Sequence, residues 1–168
     1  MISPSLIRWL PLVAVALHLI EEFAWPGGFA EWYRWYRPER AVSVTTGFLV
    51  RINALLVVLA LIPGGMGFST YGVAFWLVVA SIAAANGGFH IWATVARRRY
   101  SPGVITGSIV YLPLAVFGFW YFWRRGFARP EVLLQAALIG PAYNIYAAWN
   151  HRRRARLAAG NPPPTPRR

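Results

Sequence analysis

The sequence contains no cysteine, no lysine and no aspartate. Without cysteine there is no disulfide, no thiolate metal site and no cysteine nucleophile. Every base is arginine, and every acid is glutamate: Glu21, Glu22, Glu31, Glu39 and Glu131. That bias, beside abundant Ala, Gly and Pro, fits a GC-rich bacterial genome. Charge of either sign is scarce. Charged residues make up 13% of the chain, against about a quarter in a soluble domain. Too little polar surface remains to cover a water-soluble globule of this length.

What is present is apolar. Hydrophobic residues are 57% of the 168, and the mean hydropathy is +0.43. Five continuous apolar runs stand out, at about 6–25, 46–62, 71–96, 104–123 and 131–149. Pro26-Gly27-Gly28 closes the first, and Pro63-Gly64-Gly65 the second. Arg97 to Arg99, Arg124-Arg125 and His151 to Arg154 close the others. Each run is near the roughly 20 residues a helix needs to cross hydrocarbon. The runs are continuous rather than alternating, which excludes a membrane barrel. The expected fold is all-α, a polytopic bundle of about five transmembrane helices over residues 1–155. A Pro- and Arg-rich tail, 156–168, is expected to be disordered. The first run is expected to be a retained span, because no small-x-small cleavage site follows it.

The net charge of +12 does not indicate nucleic acid, because the arginines flank apolar runs instead of forming a basic groove. Anionic lipid headgroups are the expected partners. Arginine asymmetry orients the chain. Arg34, Arg37, Arg40, Arg97 to Arg99 and six C-terminal arginines fall on one side of the five-span arrangement. Arg8, Arg124, Arg125 and Arg129 fall on the other. The expectation is N-terminus out and C-terminus in, in a bacterial cytoplasmic membrane. Phe29 to Arg37 interleaves aromatics with charge and reads as a short interfacial helix.

Ionisable residues inside spans cost about 2.5 to 3.5 kcal/mol each near a helix centre, so they need a partner, a cavity or a function. This chain has His18, Glu21, Glu22, Arg51 and His90, with Asn53, Asn86 and Asn144 as polar companions. The five-span arrangement brings all of them to the cytoplasmic half of the bilayer. His18, Glu21 and Glu22 share a helix face as i, i+3 and i+4, and Asn86 and His90 are also i, i+4. Arg51 and Asn53 point roughly 200° apart, and Arg51 is the one expected to face the cluster. Pro141 should free the carbonyl of Ala137, and Gly87 and Gly88 should permit close helix approach.

Two histidines and two carboxylates are ligand types for zinc, iron or manganese. The expected metal ligands are His18, Glu21 or Glu22, and His90. Without a metal, Glu21 or Glu22 would be a general base, with His90 as acid or oxyanion donor and Arg51 balancing the carboxylates or holding an anionic headgroup. Asn86, Asn144 and Asn53 would support them. Both readings describe a membrane enzyme acting on a lipid-like or apolar substrate. A proton- or cation-coupled transporter, or an accessory membrane subunit, uses the same groups differently. The bland alternative is polar packing between helices, worth about 0.6 kcal/mol per contact.

His18-Leu19-Ile20-Glu21-Glu22 reads H-x-x-E-E, and Asn86-Gly87-Gly88-Phe89-His90 reads N-x-x-x-H in a later span. On these residues the chain resembles the HXXEE-motif family of bacterial membrane proteins, a resemblance that implies a multi-pass architecture and no particular reaction. A second, chemical resemblance is to the glutamate intramembrane proteases, which combine a Glu-Glu pair, Arg, two His and Asn. Pro26 stands where that family's E-E-x-x-x-R has arginine, and Asn86 stands where its F-x-x-x-H has phenylalanine.

Overall fold

The computed structural model describes residues 3–160, and among these there are seven helices and no strand. Helix α1 (Pro4–Ile7) breaks into α2 (Leu10–Leu19), which runs on into a π turn over Ile20–Ala24. Helix α3 (Phe29–Tyr36) and a 3-10 segment (Pro38–Ser43) lead into α4 (Thr46–Met66) and α5 (Thr70–Arg97). Helix α6 (Val104–Arg124) contains a second π turn at Gly107–Tyr111. Helix α7 spans Pro130–Gly160.

Helices α4, α5 and α6 are long and apolar enough to cross a membrane. The other two expected spans are helical but less simple. The first is interrupted at Arg8-Trp9. In α7, Gln135, Asn144 and Asn150 dilute the apolar run.

Helix α5 is the central post. It packs against α2, α4, α6 and α7, and it is the most buried of the three long apolar helices. Two prolines attach neighbours to it. Pro11 has no N–H for the carbonyl of Ile7, and Trp76 Nε1 of α5 donates to that oxygen at 2.9 Å. Pro141 likewise frees the carbonyl of Ala137, which accepts from Ser81 Oγ at 3.3 Å. A carbonyl left open in an apolar setting needs a donor, so each proline creates a docking point instead of a loose kink.

Small residues set the close approaches. A Cβ on Gly140 would overlap the backbone of Ser81, and one on Gly118 would overlap the Trp76 ring. A Cβ on Gly87 would lie 2.7 Å from the carbonyl oxygen of Gly107. This contact draws the π turn of α6 onto α5, beside Asn86. Gly88 has open space and plays no such part.

Two boundaries differ from expectation. Helix α4 does not stop at Ile62 but passes through Pro63 to Met66. Gly64 is used for packing, since a Cβ there would collide with the Trp9 ring. Gly67, at φ +60°, ends the helix. Helix α7 continues past Trp149 to Gly160, so 156–160 are helical. The rest of the expected tail, 161–168, lies outside the described residues.

Arginines lie over aromatic rings of other segments. Arg97 lies over Tyr36 and Arg99 over Trp35. Arg154 lies over Phe48. Segments distant in sequence therefore meet at one end of the bundle.

Candidate metal centre

His18 is on the last full turn of α2, and Glu22 is in the π turn that follows. His90 is on α5, one turn after Asn86. All three metal-type side chains are buried: His18 is 1% exposed, Glu22 5% and His90 0%. Their ligand atoms lie within 4.8 Å of one another. Glu22 Oε1 is 3.5 Å from His18 Nε2 and 3.2 Å from His90 Nε2. Three ligands about 2.0–2.1 Å from a tetrahedral cation stand about 3.3 Å apart, so both spacings suit one metal ion. The Asn86 amide closes the group, with Nδ2 at 3.0 Å from His18 Nε2 and 3.5 Å from His90 Nε2. Turning that amide by 180° exchanges its oxygen and nitrogen, which brings Oδ1 toward the same centre.

The two glutamates have separate tasks. Glu21, expected as an alternative ligand or base, is turned away from the histidines. Its carboxylate accepts from Tyr100 Oη at 2.7 Å, Ile105 N at 3.0 Å, Thr106 N at 2.7 Å and Thr106 Oγ1 at 2.5 Å. It caps the start of α6 from another helix, where free N–H groups and the helix dipole favour an anion. Four donors leave no place for a proton on it, and no free oxygen for a metal.

That cap sets the tautomer of His18. A carboxylate only accepts, so Thr106 spends its single hydroxyl hydrogen on Glu21. Thr106 Oγ1 also lies 2.8 Å from His18 Nδ1. It must therefore accept from Nδ1–H. A neutral His18 then carries its lone pair on Nε2, aimed at Glu22 and Asn86. Nε2 and the Glu22 oxygen are then two acceptors 3.5 Å apart, an arrangement that suits a cation held between them. Metal-bound histidines are commonly oriented through their other nitrogen in this way. His90 has the same kind of support, with Nδ1 at 2.9 Å from Ser101 Oγ. Ser101 is tied in turn to Thr94, whose Oγ1 accepts from Ser101 N.

Gly103 closes the site from above. Its φ is +102°, and a Cβ there would lie 2.7 Å from His18 Cε1 and 2.8 Å from His90 Cε1. Only glycine tolerates both the conformation and the contact. Tyr111 packs its ring 4.4 Å from that of His18. Phe29 and Trp32 of α3 approach His90 at 5.8 and 6.3 Å. The expected interfacial helix is therefore also a wall of the site.

Three expected members do not join. Arg51 is exposed on α4, and among the described residues it pairs with neither glutamate. The expectation that it faces the cluster is corrected: α4 turns it outward, and the histidines with Asn86 surround Glu22 without it. Asn53 is half-buried on α4 and makes no side-chain hydrogen bond to the group among the described residues. Asn144 donates to the carbonyl of Gly140, on its own helix, at 3.1 Å. Ser101, Gly103 and Thr106 are site residues that sequence reasoning missed. Ser101 and Gly103 fall in a short Ser-Pro-Gly connection, whose composition reads as an ordinary turn, and Thr106 falls in the first turn of α6. The one available signal was a threonine near a helix start with a buried glutamate in search of donors.

The model of a protein family described as "Protein of unknown function with HXXEE motif" matches residues 9–118. The chain belongs to the HXXEE family. The matched stretch holds every residue of the centre, from His18 to Tyr111, and ends before α7 begins. No curated protein and no solved structure matches the chain. The motif now has a geometric meaning in this member. Its histidine and second glutamate face a common point, while its first glutamate holds the next helix and orients that histidine.

Proposed function

We propose that this HXXEE protein is a metal-dependent membrane enzyme acting on a lipid-like substrate. His18, Glu22 and His90 hold one divalent cation, and Asn86 stands at the fourth position. The observation that carries the reading is the buried convergence of two imidazole Nε2 atoms and one carboxylate oxygen. Two histidines and one carboxylate suit zinc or non-haem iron. A bound cation of this kind polarises an oxygen or activates water. We place the centre in the cytoplasmic half of a bacterial inner membrane crossed about five times, with the N-terminus outside. The arginine-rich end formed by α3, α5 and α7 supports that orientation.

An apolar groove of about 270 Å³ between α2 and α6 supports an apolar substrate. Leu10, Ala14, Val110, Pro113 and Phe117 line it. Ala14 lies one turn before His18, and Val110 one turn after Thr106, so the groove follows the helix pair that carries the centre.

The test is elemental analysis of protein purified in detergent after growth with zinc, iron and manganese. About one metal per chain is expected, and His18→Ala, Glu22→Ala and His90→Ala should each lose it. Wild-type protein free of stoichiometric metal under all three conditions would sink the reading. One observation favours a second reading. Thr106, His18, Glu22, His90 and Ser101 form an unbroken polar chain, as proton coupling in a carrier requires. Metal-free protein that moves protons across liposomes, and stops doing so as Glu22→Gln, would select it. The glutamate-peptidase constellation is not favoured, because among the described residues its arginine has no counterpart beside the carboxylates.

A further inference from the structure

A polar cavity shares no residue with the metal centre. It has a volume of about 390 Å³ and is lined by Glu39, Arg40, Arg152, Ala155 and Arg156. Arg152 and Arg156 are i, i+4 on α7 and share a face, with the small side chain of Ala155 between them. Arg40 enters from the 3-10 segment. Three guanidinium groups therefore meet one carboxylate, a local excess of two positive charges.

Arg40 is the decisive group. It is 8% exposed, yet its Nε has no hydrogen-bond partner. Its one ion-pair contact among the described residues is a 3.4 Å approach to Glu39 Oε1, and the Glu39 side chain is 57% exposed. An unpaired N–H on a buried guanidinium is costly, and the planar fork of arginine matches phosphate oxygens. The floor of the cavity is held in place. Ser43 Oγ donates to the carbonyl of Arg40 at 2.7 Å and lies 2.7 Å from His151 Nδ1. The surroundings are positive. Burial, then Arg154 and Arg40, lower the His151 imidazole to about 4.

Exposed apolar side chains stand close in sequence to the residues that line the cavity. Val42 follows Arg40 by two residues, and Trp149 precedes Arg152 by one turn, and both are exposed. A free inorganic anion gains nothing from them, whereas acyl chains do. We infer that this cavity binds the phosphate of an anionic phospholipid headgroup, with Arg40 donating from the buried end and Arg152 and Arg156 closing on it from α7.

The test is a titration of detergent-purified protein with dihexanoyl phosphatidylglycerol, and separately with inorganic phosphate, read by calorimetry. Wild type should show one saturable lipid site per chain. Arg152→Gln/Arg156→Gln changes only exposed residues, and should bind at least tenfold more weakly while keeping its metal content. Arg124→Gln/Arg125→Gln should bind like wild type. The proposal is overturned by the absence of a saturable lipid site, by equal weakening in both double variants, or by phosphate binding as tightly as the lipid. Retained metal in the first double variant keeps this outcome separate from that of the metal centre.

Discussion

Replacing Thr106 by valine keeps the shape of the side chain and removes one hydroxyl. Glu21 would keep three of its four donors, so the cap on α6 should persist. His18 would lose the acceptor for Nδ1–H. An unsatisfied buried donor costs about 1–3 kcal/mol. His18 can avoid that cost by shifting its proton to Nε2, and it then faces the centre with an N–H where a lone pair is needed. Either way the loss falls on the metal. A penalty of about 1.4–2.8 kcal/mol is a 10- to 100-fold loss of affinity, the range typical of lost outer contacts to ligating histidines. The assay is a competitive chelator titration of purified protein, with thermal unfolding run in parallel to confirm the fold. Thr106→Ser restores the hydroxyl and should recover most of the affinity. Wild-type affinity in Thr106→Val, or equal loss in the serine variant, would refute the argument that Thr106 sets the His18 tautomer.

Gly103→Ala should abolish metal retention and lower the unfolding temperature, because a left-handed alanine costs about 1–3 kcal/mol and its methyl overlaps both imidazoles. Metal content and a melting curve on the same sample check this. Gly140→Ala should destabilise the α5–α7 contact by about 1–3 kcal/mol, whereas Gly65→Ala, with nothing within 4 Å of the added carbon, should be neutral or stabilising. Denaturation of the pair in one detergent compares them. His151 lies just past the fifth expected span, and its value falls from 6.5 to about 4 through burial and the neighbouring arginines. The unfolded chain then binds more protons between these values, so stability is full above about pH 6.5 and declines as pH falls toward 4. Unfolding measured from pH 7 to 4 should show a steeper decline for wild type than for His151→Gln.

The helices and the makings of the centre were legible in the sequence. Long apolar runs need helices in lipid, and i, i+4 spacing put His18 beside Glu22 and Asn86 beside His90. The freed carbonyl of Ala137 was also readable, because proline lacks an N–H in any context. The stop at Pro63 was misread, since one proline removes a single hydrogen bond and the glycine after it was needed against Trp9. The outward turn of Arg51 was not readable either. Helix α4 is apolar on nearly every face, so composition assigns it no inward side.

The H-x-x-E-E segment shows where the two kinds of information part. The sequence by itself determined that a histidine and two glutamates lie on neighbouring turns of a helix in an apolar chain, and that such groups require partners. Which glutamate meets which partner was decided only by tertiary structure. Helix α5 delivers His90 to Glu22, the start of α6 delivers its N–H groups to Glu21, and Gly103 lets the connecting loop lie on both rings. The cause is physical: adjacent side chains on one helix diverge, and what each meets depends on how other helices are rotated and how closely their small residues let them approach.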